Sequence, residues 1–252
     1  GLAGKTVGHH HSVLRRALRE AERRSMVLRN VARLVTPPKA TRHVVQPLTP
    51  EAARAVLAAT TNDRLGTLCA VTLGLGLRQG EALGLRWSDL DLDAGSLSVR
   101  NTLQRYDGAY HFAEPKTQRS RRTLALPKPL VDDLRRHRTL QLQEQLVAGA
   151  AWQGREWDLV FCDAIGRPLS GIQVTRRFQQ LLLEAGLPRM RFHDLRHGAA
   201  TILLALGVDL RTIMETLGHS QIGVTMDTYA GVIPELKRDA ADRVGTALWG
   251  TA

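Results

Sequence analysis

Apolar and polar positions recur with two different periods along this chain, and the changes of period divide it. From Val7 to Ala21 a 3.6-residue spacing sets Val7, Leu14, Ala17, Leu18 and Ala21 on one side of a helix. Arg15, Arg16, Arg19 and Arg23 gather in an adjacent arc of about 100°. A second short helix is predicted over Met26 to Val35, with Met26, Val27, Val31, Leu34 and Val35 as its apolar positions. Two helices of this size cannot bury a stable core alone. Residues 1–36 are therefore expected to be the end of a truncated or processed domain. Pro37, Pro38 and Pro47 make residues 37–47 an extended linker.

Residues 48–252 carry a longer pattern. Thr49-Pro50-Glu51 is a helix start, with a capping hydroxyl, Pro at the first helical position and an early acid. Arg64 to Leu75 places Leu65, Leu68, Cys69 and Leu73 on one helical face. The period then shortens. Leu97 to Leu103, Tyr110 to Glu114, Arg122 to Leu126 and Leu159 to Cys162 are short alternating or β-rich runs, the first two separated by Asp107-Gly108. Helices are predicted at Lys128–Val147, Ile172–Ala185, Leu195–Leu206, Leu210–Leu217, Ile222–Tyr229 and Glu235–Leu248. The fold class expected is mainly α with a small antiparallel β-sheet, an α+β domain.

Composition narrows the class. At 252 residues, 43% hydrophobic and 23% charged, the chain is neither disordered nor fibrous. Its longest apolar stretch, Gly198 to Val208, is interrupted by Thr201 and falls short of the roughly 18 residues of a membrane span. Gly1 to His11 lacks the apolar run of a signal peptide. Cys69 and Cys162, far apart in apolar surroundings, argue for a reducing, cytoplasmic setting and against a disulfide or zinc framework. Net charge is +11, and residues 1–46 hold ten Lys or Arg against two Glu, leaving only +3 for the remainder. A basic field concentrated on one short module points to a polyanion, above all nucleic acid, although a solvated basic face would give the same sum.

Several motifs fail on inspection. Asp89, Asp91 and Asp93 resemble the opening of a calcium loop, but Ala94 stands where the turn Gly belongs and Arg100 where the bidentate Glu belongs. His9, His10 and His11 have no Cys or carboxylate companions. His193-Asp194 lacks a second ligand pair, and no phosphate-binding loop ending in Gly-Lys-Ser/Thr occurs. No metal or other cofactor is expected.

What remains is a set of cations ending in a tyrosine. Arg78 lies in Gly76-Leu77-Arg78-Gln79-Gly80-Glu81, and Lys116 in Pro115-Lys116-Thr117. His193 and Arg196 share a helical face at i and i+3. His219 closes Leu217-Gly218-His219, and Tyr229, one of three tyrosines, follows ten residues later. Each has an ordinary explanation alone: an i,i+3 ion pair for Arg78 with Glu81, a solvated hairpin Lys, a helix stop, a core His, a packing Tyr. Together they meet the needs of attack on a phosphodiester without a metal.

The sequence resembles the tyrosine recombinases, the integrase family of phages and mobile elements. The likeness runs from about Leu48 to Glu235 through LGLRQGEALGLRWSDLDLDAG, PKTQRSRRTLALP, HDLRHGAATILLALG and LGHSQIGVTMDTYA. The N-terminal piece is similar to the last helices of the family's core-binding domain. Gly198-Ala199 departs from the family's Thr and larger apolar residue, which is expected to soften packing there. The resemblance implies the family's catalytic fold and a site-specific recombinase in which Tyr229 forms a 3′-phosphotyrosyl bond. In that scheme Arg78, Arg196 and His219 bind the phosphate, His193 is the general base and Lys116 protonates the 5′-oxygen. Glu81 would orient Arg78 or its neighbours, with Asp194 and His197 structural. Arg15, Arg16, Arg19, Arg23, Arg119 and Arg121 are expected to contact double-stranded DNA. The family acts as a homotetramer on two duplexes, with an accessory directionality factor in some systems. A tail with Leu236, Ala240, Val244 and Leu248 on one stripe would dock on a neighbouring subunit or on its own domain. A monomeric type IB topoisomerase and a DNA-binding module without catalysis are the alternatives.

Overall fold

Leu68, Cys69, Val71, Leu73 and Leu75 are all buried, because the helix that carries them is enclosed rather than one-sided. In this computed structural model, residues 1–39, 48–114, 121–218, 242 and 244–250 are described. They fall into two units, Gly1–Val45 and Gln46–Ala252.

In the first unit, α1 (Gly4–Arg23) forms as expected but buries none of its residues. Arg15, Arg16, Arg19 and Arg23 are all exposed on it. The helix expected at Met26–Val35 does not form. The chain instead turns through Ser25, at φ 55°, and makes one 3-10 turn at Val31–Leu34. Met26, Leu28, Leu34 and Val35 are exposed, and apolar periodicity without burial gives a short helix little stability. Asn30 holds the return instead: its side chain donates to the Arg15 carbonyl at 2.8 Å and accepts from Ala32 N at 3.1 Å.

The second unit is built on the buried helix. Thr49 caps α2 (Pro50–Thr60), its hydroxyl accepting from Ala52 N at 3.2 Å. The central helix, α3 (Gly66–Leu75), is flanked by α2, by α5 (Lys128–Ala148) and by α7 (Asp194–Ala205). A five-residue helix not anticipated from the sequence, α4 (Gln79–Leu83), follows it. α6 (Gly171–Glu184) and α8 (Leu210–Leu217) complete the helices described with defined ends, each within a residue of expectation. Between α7 and α8, Ala200, Leu204, Ile213 and Leu217 form a small second core.

Among the described residues the strands make two small antiparallel sheets, not one. β1 (Leu90–Asp91), β2 (Ser96–Val99) and β5 (Arg122–Ala125) pair in the order β1-β2-β5, with Leu97 opposite Leu124. β3 (Thr102–Tyr106) and β4 (Ala109–Ala113) form a separate hairpin across Asp107-Gly108. The run expected as one strand over Leu97–Leu103 breaks after Val99, because β3 turns onto α4. Gly84 allows that approach: a Cβ there would lie 2.7 Å from Leu103 N. Leu159–Cys162 is buried but makes only isolated bridges. Its backbone is satisfied by side chains: Gln141 donates to the Leu159 and Val160 carbonyls, and Arg64 to that of Cys162. Residues 244–249 are helical, with Val244 and Leu248 exposed. Leu236, Ala240 and the expected helix Ile222–Tyr229 lie outside the described residues.

Candidate active site

α3 ends at Gly76, whose φ of 64° favours glycine. That conformation sends the chain through buried Leu77 to Arg78, which begins α4. A Cβ on Gly76 would also lie 2.2 Å from Leu217 Cδ2. The absent side chain therefore admits the end of α8.

Glu81, 1% exposed, stands three residues into α4 and organises the site. Its carboxylate accepts from Arg78 N at 2.9 Å and from Arg78 Nη1 at 2.6 Å. Arg122 Nη2 donates to Oε2 at 3.0 Å, and Arg196 Nη1 lies 3.8 Å from the same oxygen. Among the described residues, three guanidiniums thus converge on this carboxylate. Burial alone would raise the Glu81 pKa, but Arg122, with the N–H and charge of Arg78, holds it below the usual carboxylate range.

The same guanidiniums reach the last carbonyls of α8. Arg122 Nε donates to Thr216 O at 2.6 Å, Arg196 Nη2 to Leu217 O at 2.6 Å, and Arg78 Nη2 to Gly218 O at 3.0 Å. Helix C-terminal carbonyls lack intrahelical donors and carry the negative end of the macrodipole, so cations stabilise them. Arg196 Nη1 also donates to Gly76 O at 2.6 Å, joining the ends of α3 and α8. Arg196 is 2% exposed, whereas the Arg78 side chain is 39% exposed.

His193 precedes α7. Although the residue is exposed overall, desolvation of its ring, the His197 ring at 5.0 Å and the Arg196 guanidinium push it down to about 4, against the pull of Asp194. It is a neutral imidazole near pH 7, able to accept a proton. Asp194 accepts from Arg191 N, Nε and Nη2, a structural pairing. The packing expected to soften at Gly198 is instead filled by Leu48, whose Cδ2 lies 2.5 Å from where a Cβ would sit.

The structure brings together Arg78, Glu81, Arg196 and the backbone that runs into His219. Arg121, 55% exposed, pairs with Glu114 at 2.8 Å. Lys116, Arg119, His219 and Tyr229 lie outside the described residues. Sequence reasoning passed over Arg122. A signal was present: on an alternating strand Arg122 shares the face of Leu124, which is buried. An Arg at an inward strand position needs a partner inside.

Among the described residues, no group of three His, Cys, Asp or Glu is placed to hold a metal ion. The three aspartates of the calcium-like loop are otherwise engaged. Asp89 is buried and accepts from Arg86 N, Asp91 accepts from Asp93 N and Ala94 N, and Asp93 pairs with Arg135. No described helix is long and apolar enough to cross a membrane.

The architecture is that of tyrosine recombinase catalytic domains. The Tn1549 transposon integrase, solved with transposon right end DNA, superposes with a TM-score of 0.75 at 22% identity, covering 95% of this chain and 81% of that one. XerA recombinase gives a TM-score of 0.63 at 22% identity over 79% of this chain and 66% of that one. In sequence, an integrase of Saccharopolyspora erythraea is 31% identical across all of this chain and 69% of its own length. A XerC-like tyrosine recombinase of Caldanaerobacter subterraneus is 33% identical over 82% of this chain and 56% of that protein. The family model described as the phage integrase family matches residues 41–235, and the chain belongs to that family. It spans between about half and two thirds of the length of these two curated relatives.

Proposed function

We propose that this chain is the catalytic part of a site-specific DNA recombinase that cleaves and rejoins strands through a 3′-phosphotyrosyl bond at Tyr229. The observation that carries the proposal is the cluster of Arg78, Arg122 and Arg196 around buried Glu81. Three guanidiniums against one carboxylate leave a positive site suited to a phosphodiester. Arg78 and Arg196 are the fixed donors there that stabilise the charge growing on the non-bridging oxygens, with Arg122 behind them. Arg78 is the more open of the family pair and meets the phosphate first, with Arg196 backing it from within. His219 adds a hydrogen bond. Neutral His193 accepts the Tyr229 proton as the phenol attacks phosphorus, and Lys116 protonates the departing 5′-oxygen. The phosphotyrosyl bond conserves the energy of the cleaved diester, so rejoining to a partner strand needs no nucleotide cofactor.

Residues 1–36 act as the end of a core-binding domain, 37–47 as a linker and 48–252 as the catalytic domain. Exposed Arg15, Arg16, Arg19 and Arg23, with Arg119 and Arg121, contact DNA phosphates. The active assembly is a homotetramer on two duplexes within the host cell.

The test is covalent capture. A duplex selected from a random-sequence pool by binding to this protein, nicked beside the cleavage position, is incubated with it and denatured in SDS. Wild type forms an adduct, Tyr229→Phe forms none, and EDTA changes neither. Equal adduct from the Phe variant would remove Tyr229 from the chemistry.

A further inference from the structure

Among the described residues, Arg122 ties β5 to α8. It opens β5 on the face of Leu124, and its side chain is 7% exposed against 39% for Arg78. Among the described residues its bonds run to two different elements: Nη2 to Glu81 Oε2 on α4 at 3.0 Å, and Nε to the Thr216 carbonyl on α8 at 2.6 Å. With Arg196 on Leu217 O and Arg78 on Gly218 O, three successive carbonyls each receive a guanidinium from a different element. α8 is only eight residues long and rests on the small core around Ala200, Leu204, Ile213 and Leu217. Its last turn is held sideways by these polar bonds. The next residue in the chain is His219.

We propose that Arg122 is a positioning residue of the recombination site: through Glu81 and the Thr216 carbonyl it fixes the end of α8, and so the backbone leading to His219, relative to Arg78 and Arg196. The proposal rests on the recombinase function above for its consequence, but the tether can be tested without it. Arg122 acts from behind the phosphate site, so its loss disturbs the rate of the chemical step more than the affinity for DNA. It also has an acid signature. Arg122 stands first among the cations that keep buried Glu81 ionised. Without it Glu81 takes up a proton at higher pH and releases the Arg78 guanidinium.

Arg122→Gln and Arg122→Lys are compared with wild type on the selected nicked duplex, by gel-shift affinity and by single-turnover adduct formation from pH 6 to 8. Arg122→Gln is expected to bind DNA as wild type does but to form adduct about 100-fold more slowly, the scale of a displacement near 1 Å. Its rate falls further toward pH 6 than that of wild type. Arg122→Lys, which keeps the charge but loses the planar fork that spans Glu81 and Thr216, recovers part of the rate. In parallel, hydrogen exchange at the backbone amides of residues 213–218 is expected to quicken in Arg122→Lys while α3 and α5 stay protected.

A folded Arg122→Gln variant that cleaves at the wild-type rate overturns the proposal. So does a loss confined to DNA affinity, which would make Arg122 a direct DNA contact. If Arg122→Gln does not fold, Arg122→Lys decides: unchanged exchange at residues 213–218 overturns the tether. If wild type forms no adduct, the recombinase function is wrong, and the exchange experiment still decides whether Arg122 holds α8.

Discussion

Arg78 Nη2 donates to the carbonyl of Gly218 at 3.0 Å, so the first cation of the site is bonded to the residue that precedes His219. The two lie 140 residues apart in sequence. Gly218 ends α8 with φ 65°, which frees its carbonyl from the helix. The site is therefore closed by backbone acceptors as much as by side chains, and Glu81 is the anion that lets the guanidiniums crowd together beneath them.

Glu81→Ala should be among the more damaging single substitutions in the chain. It leaves Arg122 and Arg196, both buried, facing each other without their carboxylate. Removing one partner from a buried ionic network costs about 3 to 5 kcal/mol. A urea melt should show that loss, and a midpoint within error of wild type would mean that the guanidiniums do not depend on Glu81.

Gly76→Ala combines two penalties that a second position separates. Gly76 has φ 64° and a would-be Cβ 2.2 Å from Leu217 Cδ2, whereas Gly186 has φ 67° and nothing within 4 Å. Strain alone predicts about 1 kcal/mol for Gly186→Ala. Gly76→Ala adds overpacking of about 1 to 3 kcal/mol, because Leu217 belongs to the small core under α8. Equal losses in urea melts of the two variants would show that α8 moves aside freely.

The contrast between these positions and the rest of the chain explains what could be read in advance. Helices α5 to α8 were legible to within two residues, because apolar residues recur along each at helical spacing. Arg78 with Glu81, and His193 with Arg196, were legible because helical spacing places them. The Met26–Val35 helix does not form, because its apolar positions stay exposed and its periodicity brings no burial. Leu159–Cys162 is apolar enough for a strand, but Gln141, His137 and Arg64 satisfy its carbonyls in place of a ladder. Arg122 escaped notice because its role depends on contacts 41 and 94 residues away. No local pattern encodes those distances.

The basic face of α1 makes a prediction about salt. Arg15, Arg16, Arg19 and Arg23 are exposed and none is buried against the protein, although Arg23 also pairs with Glu20 at 2.8 Å. If each neutralises a phosphate, the slope of log affinity against log salt should fall by about 0.9 per contact removed. The fourfold Gln variant, titrated with duplexes of several sequences, should weaken alike on all of them. A wild-type slope in that variant would take this face out of the interface.

His193 gives a prediction in pH. In the unfolded chain an imidazole titrates at about 6.5, while in the folded protein desolvation of the ring, His197 and Arg196 lower His193 to about 4. Between these values the unfolded chain holds the extra proton. The contribution of His193 to stability is therefore present in full above about 6.5 and is lost as pH falls through the window toward 4. The imidazole C–H resonance of His193 should accordingly stay at its neutral position down to pH 5. His193→Gln should flatten the decline in urea-melt stability over the same range, since the amide does not titrate. A His193 midpoint near 6.5 would show that its surroundings do not hold the ring below the ordinary imidazole range, and the stability decline would then have another source.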